Sequence, residues 1–331
     1  MKIVVLYPEN KGNRIPVHLM YPLLRSNIAD HAMFCGGYAA ALSAVKKYPS
    51  AIVCVYGVTH RFENKELREF SDSEIDHLRQ VSRQLVFFDT SPSASRFQTR
   101  LLTVCDKYLK QSLMRDAALI NGLLLSSGVA SGVDCLVRDK IRLSWNVGFG
   151  LYPRTVATKR LPPVLERFFG VRHCLRPWPS RPKKIVSRVK KPVLHARFSV
   201  SDKSREQLML AARRMGHDAL VGKVGRLQYN REIREVHSVL SPYGASEVCY
   251  RDFEAAQYGA VMLKPKMSHL ITWPDIYQDD QFMQIETDGS DLESVFEASL
   301  RSGKNYPGNA FLAIDEAYKQ IDQRVAEIFG L

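Results

Sequence analysis

The sequence predicts an α/β protein made of two similar halves, each a parallel sheet covered by helices. Three observations carry this expectation. Short, continuous apolar runs alternate with longer stretches of helical spacing, the pattern of strands buried on both faces. The alternation halts at a basic, proline-rich stretch in mid-chain and restarts near Val193. The chain has 331 residues, 45% hydrophobic and 24% charged, enough for two globular domains of roughly 150 residues.

In the first half, Ile3–Tyr7, Ala51–Tyr56 and Leu85–Phe88 read as strands, the last ending at Asp89. Between the first two, Ala32–Tyr48 reads as a helix entered through the flexible Gly36-Gly37 turn. Leu136–Gly150, with Ser144-Trp145-Asn146, is expected to close this domain. In the second half, Val193–Val200 is a strand and Ser204–Met215 a helix stopped by Gly216. Arg231–Val236 reads as a short helix and His237–Leu240 as a strand, followed by a helix over Asp252–Tyr258, Gly259, and a strand over Ala260–Leu263. Helices over Asp291–Ser302 and Asn309–Phe329 complete the chain. The expected architecture is two Rossmann-like domains facing a cleft: residues 1–152, a basic connection over 153–192, and residues 193–331. In open sheets of this kind the ligand sits at the carboxyl ends of the strands.

Several classes are excluded. No apolar run reaches the roughly 18 residues a spanning helix needs; the best candidate, Ala118–Val137, is interrupted by Asn121, serines and Asp134. The N-terminus reads as a strand stopped by Pro8, not as a signal peptide. The six cysteines have no Cys-x-x-Cys pair and no Cys/His ligand spacing, which argues against a structural zinc or a disulfide framework and for a reducing, cytoplasmic setting. No Gly-x-Gly-x-x-Gly follows a strand and no Walker motif occurs.

The net charge is +13, and its distribution is uneven. From Arg154 to Arg197 there are thirteen basic residues against the single acid Glu166, so this stretch holds twelve of the thirteen excess charges. Leu165, Phe168, Phe169 and Trp178 lie among them. Such a segment suits an anionic membrane surface. It also suits nucleic-acid phosphates with stacking aromatics, or a solvated linker. No helix-turn-helix, zinc-finger or RNP-type pattern supports the nucleic-acid reading.

The most informative stretch runs from Ser241 to Pro265: strand end, small-residue turn with Gly244 and Ala245, acidic Glu247, helix with Glu254, Gly259, strand. The turn delivers backbone N–H groups to a helix N-terminus, where an anion or sugar hydroxyls are welcome. Glu247 and Glu254 are seven apart, and that spacing on a helix would put both on one face. A carboxylate accepts two hydroxyls of a ribose or hexose at once.

Tyr250-Arg251-Asp252-Phe253-Glu254-Ala255, followed by Gly259 and Leu263-Lys264-Pro265-Lys266-Met267-Ser268-His269, resembles the C-terminal signature of group 1 GT-B glycosyltransferases of bacterial polysaccharide and O-antigen assembly. The resemblance covers about 40 residues. It implies that Glu247 contacts the donor sugar and that Glu254 holds the ribose, although six residues separate them here where the family usually has seven. It implies that Arg197 and Lys203, with Arg205 close by, neutralise the donor pyrophosphate, the task a metal performs elsewhere, so that no metal or other cofactor is required. It further implies that the terminal helix crosses back to brace the N-terminal domain, while Lys264 and His269, around the Lys-Pro turn, read either as donor contacts or as loop caps, with the donor favoured.

Asp89 and His60, near strand ends of the first half, are the candidate bases toward an acceptor hydroxyl; a retaining enzyme, as the Glu pair of the family suggests, would need neither. The expected activity is transfer of a sugar from a nucleotide donor to a glycan or lipid-linked acceptor in surface polysaccharide assembly, at the inner membrane face. The alternatives are a glycosyltransferase acting on DNA bases and a non-catalytic glycan- or nucleotide-binding protein of the same fold.

Overall fold

The computed structural model describes residues 2–7, 19–57, 59–62, 65–68, 70–91, 93–126, 137–146, 190–244 and 246–331. The basic segment, as far as residue 189, and Ala245 lie outside them. The chain divides into two compact units.

The first unit comprises Met1–Ser180, Ile271–Trp273 and Lys319–Leu331. Its six-stranded sheet has the order β2-β1-β3-β6-β7-β9, from Ala32–Gly36, Ile3–Tyr7, Ile52–Gly57, Gln84–Asp89, Lys107–Lys110 and Ile141–Leu143. All neighbours are parallel. The three apolar runs became its central strands, with Ile3–Leu6 and Ile52–Tyr56 fully buried. A hairpin of β4 (Thr59–Phe62) and β5 (Lys65–Arg68) follows β3, and two short strands outside the main sheets are β8 (Ser112–Met114) and β14 (Leu270–Thr272).

Ala32–Gly36 corrects the expected helix. These residues pair with β1 from Ile3↔Ala32 to Tyr7↔Gly36, and the helix (Tyr38–Lys47) starts only after Gly37, whose φ of 81° makes the turn. A further helix, Asp72–Val81, opens with a capping box: Ser71 Oγ accepts from Glu74 N at 3.3 Å, and Ser71 N donates to Glu74 Oε2 at 2.7 Å. Trp145 is buried, and its indole N–H donates to the Leu19 carbonyl.

The expected long terminal helix is two helices, Tyr306–Lys319 and Ile321–Phe329, parted at Gln320. The second belongs to the first unit. There Asp322 accepts from Asn27 N at 2.6 Å and the Ile328 carbonyl accepts from Lys107 Nζ at 2.7 Å.

The second unit comprises Arg181–Leu270 and Pro274–Tyr318. Its five-stranded parallel sheet has the order β11-β10-β12-β13-β15, from Ala219–Val221, Lys191–Ala196, Val236–Leu240, Val261–Pro265 and Met283–Ile285. Its core gathers Leu194, Leu208, Leu240, Leu263 and Phe296. The first strand begins and ends earlier than expected, because β10 stops at Ala196 where Arg197 turns aside to an ion pair. The helix expected over Arg231–Val236 starts at Arg226; its polar first turns carry no apolar period to mark them.

Counted along the chain, both sheets begin 2-1-3-4-5. The direction of winding reverses between the first and third strands, and open sheets of this kind bind ligands at that point, which in the second unit is the carboxyl ends of β10 and β12.

Candidate functional site

Beyond the carboxyl end of β10 the chain places Phe198, buried at 4% exposure, and then the helix Lys203–Arg214. Asp202 caps that helix, accepting from Arg205 N at 3.0 Å. The guanidiniums of Arg205 and Arg251 both lie over the Phe198 ring, 5.5 and 5.6 Å from its centroid. Each is held by a main-chain carbonyl: Arg205 donates to Ser199 O at 2.9 Å and Arg251 to Arg197 O at 2.8 Å. The Nε of each is buried without a hydrogen-bond partner. Burial, and next the Arg251 cation, pull Arg205 below the usual arginine value. Burial acts on Arg251 too, but Tyr229, Cys249 and Glu254 outweigh it and hold Arg251 above the usual arginine value, so of the two cations on this platform Arg205 is the one an anion would relieve.

The turn after β12 lies against Arg205. Gly244 N donates to Ser246 O at 2.8 Å, and a side chain at Gly244 would meet the Arg205 guanidinium at 3.6 Å. Glu247 sits in the bend before the helix Tyr250–Tyr258, with Oε2 buried and unpartnered. Because Cys249 is the N-cap, Glu247 lies outside the helix, and the shared helical face expected for Glu247 and Glu254 does not exist. Ala245 is outside the described residues.

Beneath the turn is a buried polar network centred on Asp252. It accepts from the Ser241 hydroxyl, from Cys249 N at 3.0 Å and from Tyr277 Oη at 2.7 Å, and it pairs with Lys264 Nζ at 3.2 Å. Lys264 also donates to Ser241 O at 3.3 Å. Lys264 is therefore an internal clamp, wholly buried under the turn. Burial, and then Asp252, push the Tyr277 phenol well above its usual range. His269 packs edge-on against Tyr243 at 6.4 Å, and Tyr243 Oη donates to the Lys266 carbonyl.

Glu254 is 8% exposed and has both oxygens occupied: Oε1 accepts from Arg226 and Oε2 from Tyr229 Oη, each at 2.7 Å. Arg197 is spent on Glu232, through Nε at 2.8 Å and Nη2 at 2.9 Å, and on the Val221 carbonyl. Lys203 is exposed at the first residue of its helix. Among the described residues Arg205 is the cation set against Gly244, while Arg251 also interacts with Tyr229 and Glu254. Arg251 was visible in the signature, but its stacking with Arg205 on Phe198 is a tertiary fact with no local signal.

In the first unit Asp89 is fully buried at the carboxyl end of β6. It accepts from Tyr108 Oη and Lys110 Nζ at 2.8 Å each, from Ser91 N at 2.8 Å and from Gln98 Nε2 at 3.2 Å. Lys110 in turn donates to Ser93 O at 2.8 Å and Arg96 O at 2.7 Å. This is the geometry of a buried clamp on the loop after β6, not of a base meeting an acceptor. His60 lies on β4 opposite Leu67, and its side chain is outside the described residues.

Among the described residues no group of His, Cys, Asp or Glu is placed to hold a metal ion, and no helix is long and apolar enough to cross a membrane.

No protein-family model and no curated protein matches the sequence. Solved structures do match over essentially the whole chain. HepE of Anabaena, determined in complex with UDP, is 11% identical with a TM-score of 0.52 over 100% of both chains. A glycosyltransferase of Rickettsia africae is 10% identical with a TM-score of 0.52, covering 99% of this chain and 98% of its own. A putative UDP-N-acetylglucosamine 2-epimerase of Listeria monocytogenes is 12% identical with a TM-score of 0.50, covering 100% and 97%. At these identities the likeness speaks for the fold, which is the GT-B architecture of two Rossmann-like α/β domains.

Proposed function

We propose that the chain is a glycosyltransferase that takes its sugar from a nucleoside diphosphate donor bound at the carboxyl ends of β10 and β12. The observation that carries this reading is the pair of guanidiniums, Arg205 and Arg251, stacked on Phe198 with buried, unpartnered Nε atoms at the switch point of the sheet. Fixed cations there stabilise the charge that grows on a departing diphosphate, so the reading calls for no resident metal. Glu254 holds the ribose, and Glu247, whose buried Oε2 lacks a partner, faces the donor sugar. His269 borders the donor through Tyr243. We place the reaction among retaining transfers to a glycan or lipid-linked acceptor in surface polysaccharide assembly. In this reading the basic segment rests on anionic lipid, which sedimentation with phosphatidylglycerol vesicles at low and high salt tests.

The experiment is a thermal-shift screen of UDP, GDP, ADP and dTDP sugars on wild type and Glu254→Ala, with a CMP sugar, which carries a single phosphate, as the control, followed by product analysis. A ligand at 100 times its dissociation constant adds about 2.7 kcal/mol of stability. Stabilisation of the wild type alone by one nucleotide is the expected result. Stabilisation by none of them would defeat the reading. A neighbour described as a putative epimerase gives the products their diagnostic value, because release of an epimerised sugar with no transfer would replace transferase by epimerase. Glycosylated duplex DNA, or binding without turnover, would favour the base-modifying or non-catalytic alternatives.

A further inference from the structure

The carboxylate on which the proposed ribose contact depends is already taken in the free protein. Glu254 accepts from Arg226 and from Tyr229, one on each oxygen, and these two donors differ in freedom. The Tyr229 ring packs edge-on against the buried His195 at 4.8 Å, and burial raises its phenol above the usual range. Tyr229 is held in place by that ring contact. The Arg226 side chain is 50% exposed and opens the helix Arg226–Glu235, whose N-cap Gly225 supplies no side-chain cap. Its guanidinium lies over the outer face of Tyr229, 5.2 Å from the ring centroid. Lys223 and residues 225–228 are all exposed. Rotation about side-chain bonds therefore suffices to uncover Glu254.

We infer that Arg226 sets the affinity of the nucleotide site by competing with the ligand's ribose for Glu254. The inference rests on the nucleoside diphosphate reading of this site. In the empty protein Arg226 satisfies Oε1 of a carboxylate that is almost sealed from water, an oxygen that would otherwise lack its donor. Two vicinal hydroxyls offer that carboxylate two O–H donors and take its place. Part of the ribose interaction is offset by the ion pair that breaks, so the net affinity is lower than the contacts alone would give. The released guanidinium passes into solvent from a position where it already lies half-exposed.

The test is calorimetric titration of UDP, GDP and ADP, and separately of inorganic pyrophosphate, into the full chain as wild type, Arg226→Ala and Arg226→Lys. Thermal melts of each variant establish that it is folded. Arg226→Ala is expected to bind whichever diphosphate the wild type binds about twofold to fivefold more tightly, the range of a half-exposed ion pair. Arg226→Lys falls between the two. Pyrophosphate has no ribose, so its affinity should stay equal or weaken in Arg226→Ala. Equal or weaker nucleotide binding by Arg226→Ala overturns the inference and leaves the site reading standing. Equal tightening of pyrophosphate overturns it too, because the competition would not concern the ribose. Failure of every nucleoside diphosphate to bind wild type and variants alike removes the site reading, and the inference with it.

Discussion

The ammonium of Lys264 and the carboxylate of Asp252 stand 3.2 Å apart with neither side chain exposed, and together they hold up the turn that carries Gly244 and Glu247. Burying two charges is costly even when they meet, and removing one partner leaves the other uncompensated. Lys264→Met is expected to lose about 3–5 kcal/mol of stability, read as a shift of the urea midpoint. The double variant Lys264→Met/Asp252→Asn should regain much of that loss, since the amide no longer needs a counter-charge. A single variant as stable as wild type would show that the pair is not the support described.

Arg205→Ala and Arg251→Ala are each expected to weaken nucleoside diphosphate binding by about tenfold to a hundredfold, the loss of a charge-assisted hydrogen bond in a sheltered site. Lys203→Ala, on an exposed side chain, should change it by less than about threefold. Arg197→Ala should act chiefly on stability, because it leaves Glu232 without its guanidinium. Titration calorimetry beside urea denaturation separates these outcomes. A dominant binding loss in Arg197→Ala or Lys203→Ala, with little in the other two, would restore the assignment expected from the sequence.

For Asp89, stability and catalysis point in opposite directions. As the partner of Lys110, its replacement by Asn should cost about 3–5 kcal/mol while turnover per folded molecule keeps its pH profile. A general base would behave otherwise, with the melting temperature unchanged and kcat down by about 10²–10⁴.

His195 gives the protein an acid-sensitive term. Burial, and next the Arg251 cation, pull its imidazole down to about 3. Around it stand Glu232, with an oxygen 3.7 Å from Nε2, and Arg197, Arg251 and Tyr229. The folded state thus refuses a proton that the unfolded chain accepts near pH 6.5. The stability contributed by neutral His195 is present above that pH and is lost as pH falls from about 6.5 toward 3, by up to about 1.4 kcal/mol per unit. His195→Phe should flatten that part of the stability–pH curve. An identical slope in wild type and variant would assign the term to other groups.

The contrast between what was legible in the sequence and what was not follows the range of the interactions. Ile3–Tyr7 and Ile52–Gly57 announced themselves because strands buried on both faces must be apolar throughout. Ala32–Gly36 did not, because a short strand ending in a glycine pair looks locally like a helix entrance. The three-residue strands at Ala219 and Met283 are too brief to show a period. The stretch from Ser241 to Pro265 is contiguous, so its turn, helix and strand could be read in order. The partners that decide what its residues do are remote. Glu232, which occupies Arg197, is 35 residues away, and Arg226 is 28 from Glu254. No local pattern encodes such pairings, and Lys264, read as a ligand-facing cation, is instead a clamp for the same reason.

Among the described residues two buried lysines reach main-chain oxygens: Lys110 the carbonyls of Ser93 and Arg96, Lys264 that of Ser241. A carbonyl is common to every amino acid, so these clamps do not read the side chains of the loops they hold. Mutation can therefore rewrite the outward residues of either loop while the backbone keeps its course. Lineages of this protein would be free to change what they recognise, and the constraint on drift would fall on the two lysines and their aspartates.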